Sequence, residues 1–458
     1  MISLYDSALD AAAAIRAKET SATELLEQAF DRLDRVDPQL NAIVWQDRDA
    51  ARARARAADR GEAAGPLHGV PITIKESFAY RGSPNAWGVP QLKDAISAHT
   101  AVAVQRLESA GAVIVGKTNV PVMLGDWQSY NPIHGATNNP WDVTRTAGGS
   151  TGGGAAALAA GIGFLTLGTD IAGSIRVPSH FCGVYGHKPS LNLVNTDGLQ
   201  PGPWDGLPGW PMDVAVVGPM ARTARDLALA LEVLGGPSRD DAKGWTWRMP
   251  PPRRTRLADF RIGCILDDTA APVASDVRGV YDNVIGELER AGATIARGWP
   301  ESLDVRAQLE TFQFLTSAMM NAAGEQKETY GRWLQETQRR LAIRAVWEKF
   351  FESHDVFLLP TAFTAAFPHD HSEPMGKRTI ATPEGARPYL ALPFWITFAS
   401  LAGVPATTAP VGLTKAGLPV GLQILAPMWE DATSIEFAAL LAERIGGFAQ
   451  PPAFAESS

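Results

Sequence analysis

Cysteine is nearly missing from this 458-residue chain: there are two, Cys182 and Cys264, with no paired spacing. That excludes a disulfide framework and suits a reducing compartment. Positive charge is also short. Lysine and arginine number 41 against 49 aspartates and glutamates, a net charge of −8, which argues against a polyanionic partner such as nucleic acid. No apolar run is long enough to span a bilayer, and the longest weakly polar one, Ala155 to Gly168, is interrupted by glycine. The opening Met1-Ile2-Ser3-Leu4-Tyr5-Asp6 has neither a basic start nor a long apolar core, so no export signal is read there. The expectation is a cytoplasmic protein, monomer or homodimer, with no nucleic-acid or membrane partner. His369-Asp370-His371 pairs two histidines with no third ligand nearby and reads as a polar loop, so neither metal nor cofactor is expected.

What is present is ordinary for a large globular protein: 45% hydrophobic and 20% charged residues, enough to bury a sizeable core. Ser21-Ala22-Thr23-Glu24 is a capping box ahead of Leu25, Leu26, Phe30 and Leu33 at helical spacing. A second, polar helix runs from Asp47 to Arg60 and stops at Gly61. Val70–Ile74 reads as a strand, His99–Ala110 as a helix and Ala112–Val115 as a strand, a rhythm that implies an α/β sheet. Ala155–Ala160 is a small-residue helix, Phe164–Leu167 a buried strand, and Ala224–Leu234 a helix ending at Gly235-Gly236. Pro237 to Arg256 is the best linker. The pattern then restarts with strand Arg261–Leu266, helix Val277–Ala291 and strand Thr294–Ile295. A long helical region, about Leu303 to Phe350, precedes strand Val356–Leu359. The expected organisation is one domain over 1–458: a helical segment at 1–62, a core at 65–235 and a variable substrate-side region at 240–390.

Two serines stand 24 positions apart in Gly-rich surroundings, in Gly148-Gly149-Ser150-Thr151-Gly152 and Asp170-Ile171-Ala172-Gly173-Ser174-Ile175-Arg176. Lys75 follows the apolar run Val70-Pro71-Ile72-Thr73-Ile74. A serine hydroxyl needs an adjacent base to act as a nucleophile at neutral pH. A lysine serves as that base when burial keeps its amine neutral.

In these segments the chain resembles the amidase signature family. The similarity runs through Thr146–Gly153 and Gly168–Pro178, then Phe181-Cys182-Gly183-Val184 and Gly186-His187-Lys188-Pro189. It includes Gly69–Lys75, Gly116–Pro121 and Asn138–Trp141, and returns at Gly403-Val404-Pro405 and Gly417–Gln423. The resemblance implies a mixed central sheet covered by helices on both faces, and an amidase without cofactor. It implies Ser174 as nucleophile, Ser150 as a bridging serine in a cis peptide bond, and Lys75 as base. The amides of Ile171, Ala172, Gly173 and Ser174 would form the oxyanion hole, with Asp170 and Arg176 as structural props. Met123, Leu124 and Trp127 fall in the segment lining the cleft, Gly149 joins the substrate-binding residues, and Trp87 with the Trp204–Trp210 loop would close over it. Those side chains are apolar, so the expected substrate is a small uncharged amide, aryl or alkyl, with esters and carbamates as chemical neighbours.

Three departures stand out: Ala172 in place of a common glycine, Thr151 in place of a second serine, and Glu76 in place of an aspartate. Two other readings stay open. Gly148-x-Ser150-x-Gly152 also fits an α/β-hydrolase elbow, with His369 completing a triad, although Pro140 opposes a central strand there. The resemblance extends to a subunit that supplies ammonia to a tRNA-dependent partner, a role that needs a companion chain. Cys182 reads as packing.

Overall fold

The alternating strand and helix signals assemble into an eleven-stranded sheet in a computed structural model, which describes residues 2–61, 65–202, 213–320 and 328–455. Its strands are β1 (Ile43–Trp45), β2 (Pro71–Lys75), β3 (Val113–Thr118) and β4 (Leu165–Asp170). They continue with β5 (Tyr185–Lys188), β6 (Val216–Ala221), β7 (Arg261–Cys264) and β8 (Thr294–Arg297). The last are β9 (Val356–Pro360), β10 (Ala406–Leu413) and β11 (Pro419–Leu425). The spatial order is β1-β3-β2-β4-β6-β5-β10-β11-β9-β7-β8. Parallel pairs join β2 to β3 and to β4, and β7 to β8 and to β9, while the strands between are antiparallel. The fold is α/β with a mixed sheet. Every residue of β2, β3 and β4 is buried, so helices cover both faces there.

The sheet draws strands from both flanks of the 65–235 segment. The segment before residue 62 is not purely helical, because β1 adds to the sheet edge beside β3. The 240–390 stretch supplies three sheet strands, β7, β8 and β9, where strands were expected at Arg261–Leu266, Thr294–Ile295 and Val356–Leu359. Elsewhere the local signals correspond closely to the elements. Ser21 caps helix Ala22–Leu40 by accepting from the Glu24 amide at 3.0 Å, and helix Ala224–Leu234 has the expected bounds. The long helical region is two helices, Val305–Met320 and Tyr330–Ser353. Pro237–Arg256 is irregular apart from one turn of helix at Asp241–Gly244.

Helix Gly152–Ala159 begins three residues earlier than the small-residue pattern suggests, and it is wholly buried against β2, β3 and β4. Glycine explains the close approach: a Cβ on Gly153 would stand 2.5 Å from the Asn119 amide nitrogen. This helix and the end of β4 bring residues 150 and 174 together from opposite ends of the Gly-rich region.

Candidate active site

β2 ends at Lys75, whose side chain is fully buried. Its Nζ is hydrogen-bonded to Ser150 Oγ at 2.7 Å and to Thr169 Oγ1 at 2.7 Å. Burial pulls the Lys75 pKa down to about 7, against the opposing pull of the Asp170 and Glu76 carboxylates. A substantial share of this lysine is therefore neutral near pH 7. Ser150 sits at the start of the buried helix, and the Gly149–Ser150 peptide is cis. Ser129 braces the turn: its Oγ donates to the Gly148 carbonyl at 3.0 Å and accepts from the Gly152 amide at 3.0 Å.

Ser174 lies just past the end of β4, half-buried, and its carbonyl accepts from the Thr151 amide at 3.1 Å. Ser150, Thr169, Ile171, Ala172 and Ser174 line one cavity of about 440 Å³. The two serine hydroxyls share that cavity without a direct hydrogen bond between them.

Asp170 and Arg176 are both fully buried and form the frame of this turn. Arg176 reaches Asp170 through Nη2 at 2.7 Å and Nε at 3.0 Å. Arg176 also donates to the Ile396 carbonyl, Gln423 Oε1 and Ser400 Oγ. Burial alone would raise the Asp170 pKa, but Arg176 and the backbone amides outweigh it, so the carboxyl stays below its usual range. Asp170 accepts from the amides of Gly173, Ile175 and Arg176 at 3.0, 3.1 and 3.2 Å. The Gly173 amide is engaged with Asp170, which leaves the amides of Ile171, Ala172 and Ser174 without a partner among the described residues.

The remaining wall comes from three places. Leu124, Gly125, Asp126 and Trp127 line one side. Helix Val305–Met320 contributes Phe312, Gln313, Thr316, Ser317 and Met320, and Met375, Leu390 and Pro393 complete the rim. The carboxylate at Asp126 is paired: Arg378 Nη1 lies 2.6 Å away, and the Tyr389 hydroxyl donates to it.

Several expected binding residues lie elsewhere. Met123 is exposed and does not line the cavity. Trp87 is buried and does not line the cavity, with Nε1 donating to the Ser77 carbonyl at 3.1 Å and its amide held by Glu76 at 3.0 Å. The longer Glu76 side chain reaches both the Ala86 and Trp87 amides, so this departure acts on the 86–87 loop. Gly149 packs behind Ser150, where a Cβ would stand 2.4 Å from the Asp126 carbonyl oxygen. Trp204 and Trp210 lie outside the described residues. His369 bonds Asn138 Oδ1 through Nε2 at 3.0 Å, and the strand before Ser150, Asp142–Thr146, belongs to a separate hairpin. Neither feature fits an elbow hydrolase. Cys182 and Cys264 are free and buried.

The face of helix Val305–Met320 was not singled out from the sequence. Its signal is faint: Gln313, Thr316, Ser317 and Met320 recur at one-face spacing beside the buried stripe of Gln308, Thr311, Phe312 and Leu315.

A family model described as amidase matches residues 24–325 and 311–435. The chain belongs to the amidase family. It is 33% identical to an indoleacetamide hydrolase of Bradyrhizobium diazoefficiens, over 96% of this chain and 86% of that protein. It is 32% identical to a glutamyl-tRNA(Gln) amidotransferase component of an Anaeromyxobacter species, over 97% of both. The crystal structure of a bacterial aryl acylamidase of the amidase signature family shares the fold, with a TM-score of 0.82, 24% identity and 96% of each chain covered. This member of the family is an amidohydrolase. No helix among the described residues is long and apolar enough to cross a membrane.

Proposed function

We propose that this amidase hydrolyses small uncharged amides, with aryl or other hydrophobic groups favoured, through an acyl-enzyme on Ser174. The observation that carries the reading is the fully buried Lys75, hydrogen-bonded at 2.7 Å to a serine that shares a cavity with Ser174. Ser174 Oγ attacks the substrate carbonyl carbon as its proton passes through Ser150 to the neutral Lys75 amine. The carbonyl electron pair moves to oxygen, where the amides of Ile171, Ala172 and Ser174 stabilise the anion. When the pair returns, the C–N bond breaks and the leaving nitrogen takes the proton back from Lys75 through Ser150. Water repeats the attack on the acyl-serine, which releases the acid. Esters and carbamates pass through the same tetrahedral anion, so they are accessible to the same groups.

Charge on the cavity wall sets the selectivity. The one carboxylate on the described cavity wall, Asp126, is satisfied by Arg378 and Tyr389. A substrate carrying its own ammonium or carboxylate would bury charge without a free partner, which is costly. The wall offers apolar surface from Leu124, Trp127, Phe312 and Met320, and neutral hydrogen-bonding groups from Gln313 and Ser317. This favours an independent hydrolase over a glutamine-fed component of an amidotransferase. Assaying the purified lone chain on an anilide and on glutamine tests it: anilide cleavage supports the reading, and turnover only of glutamine overturns it.

A further inference from the structure

Trp127 lines the cavity, and its polar side-chain atom is committed to the backbone of the turn that carries Ser174. The indole Nε1 donates to the Ala172 carbonyl oxygen at 2.7 Å. The next nitrogen along that peptide, on Gly173, donates to Asp170 Oδ1 at 3.0 Å. One peptide unit is thus held from both ends, C=O by an indole and N–H by a carboxylate. Gly173 has φ +89°, and a Cβ there would stand 2.6 Å from Ile396 Cδ1, so only glycine accepts this orientation without strain.

Rotating that peptide would reorient the peptides on either side, which carry the Ala172 and Ser174 amides. Both amides lack a partner among the described residues. We propose that Trp127 is a positioning residue for anion stabilisation: with Asp170 it clamps the Ala172–Gly173 peptide, and the clamp aims the Ala172 and Ser174 amides at the substrate oxygen. The inference rests on Ser174 being the nucleophile.

The two ends of the clamp are fixed independently. Asp170 is locked by buried Arg176. The Trp127 ring is packed against Tyr389 at 5.7 Å between centroids, and the backbone of 126–128 abuts Gly149, the residue before Ser150. The indole therefore bridges the segment that carries Ser150 and the turn that carries Ser174. Trp127 is also one of the residues that line the cavity. Ala172, with its methyl group where resemblance suggests glycine, is the residue whose carbonyl is held.

The test is Trp127→Phe, which keeps most of the ring and removes the N–H. Phenylboronic acid serves as the probe of anion stabilisation. The Ser174 oxygen pair forms a B–O bond, boron becomes a tetrahedral anion with no leaving group, and the serine proton passes to Lys75. Aniline serves as a probe that fills the cavity and forms no such anion. The expected result is a fall in kcat of roughly tenfold or more, with KM within about twofold, since the lost bond acts only through the anion site. The boronate inhibition constant should rise by a similar factor while that of aniline holds. A raised KM with kcat and boronate affinity unchanged overturns the clamp and leaves Trp127 as a packing surface. A weakened aniline constant alongside the boronate also overturns it, because the cavity itself would then be altered. If the wild-type enzyme forms no boronate adduct on Ser174, the nucleophile assignment fails instead, and the two failures are separable.

Discussion

Lys75 Nζ and Ser150 Oγ lie 2.7 Å apart with both side chains sealed from solvent, so any proton leaving Ser150 has an amine waiting for it. Thr169 Oγ1 occupies a second position on the same nitrogen at 2.7 Å. The lysine is thereby aimed at Ser150, while burial brings its pKa down to about 7.

Substituting the three residues should give a graded series. Ser174→Ala and Lys75→Ala are each expected to lower kcat by roughly 10⁴-fold or more, because removing one member of a cooperating set disables the set. Ser150→Ala should be about tenfold milder, since a water can stand in for the missing hydroxyl. Steady-state kinetics on an anilide measure all three. Near-normal turnover by Ser174→Ala with loss in Ser150→Ala would reverse the roles.

The pH profile follows from the same lysine. With its pKa lowered to about 7, the fraction of neutral base rises through neutrality. The kcat/KM of the wild type should therefore climb from about pH 5 to about pH 8 with a midpoint near 7 and stay high above it. A maximum in the acid range would contradict a lysine base.

Stability carries the opposite face of that shift. Between about pH 7 and the usual lysine range, the unfolded chain holds a proton on Lys75 that the folded chain has released, so stability rises with pH across that window. Below about pH 7 both states are protonated and the burial cost of the charge is present in full. Lys75→Met escapes this cost, so its Tm relative to wild type should be more favourable at about pH 7 than at about pH 10. An offset that is independent of pH would sink the point.

Arg176 is predicted to be structural before it is catalytic. Arg176→Met leaves the buried Asp170 carboxylate unpaired, a change that costs about 3–5 kcal/mol. Thermal unfolding should show the loss, and a Tm indistinguishable from wild type would refute the framing role.

Charge selectivity is open to manipulation at Asp126. Arg378→Met removes the cation from this carboxylate, leaves the Tyr389 hydroxyl on it, and should improve kcat/KM for a cationic amide relative to the matched neutral one. An unchanged ratio would show that the wall charge does not reach the substrate.

How much of this was legible in advance depends on the range of the signal. Ser21, the alternating strands and the Ala224–Leu234 helix are specified within a few residues of themselves, so the sequence shows them directly. The Lys75, Ser150 and Ser174 assembly is built from distant stretches of chain, yet the glycines required for close approach mark two of its three segments. The destinations of side-chain hydrogen bonds were not legible. Nothing local announces that the Trp127 indole meets the Ala172 carbonyl, that Asp170 takes the Gly173 amide, or that Trp87 turns away to Ser77. The cavity face of helix Val305–Met320 was equally silent, because which stripe of a helix meets a cavity is decided by tertiary packing.

The most direct test of the central claim is to locate the covalent intermediate. An aryl carbamate should carbamoylate the enzyme and release it slowly enough to be caught by mass spectrometry. Ser150 and Ser174 fall on one tryptic peptide, Thr146–Arg176, so fragment ions must separate them. A carbamoyl group on Ser174, absent from Ser174→Ala and slowed in Lys75→Ala, is the predicted result. A carbamoyl group on Ser150 with Ser174 unmodified would contradict it.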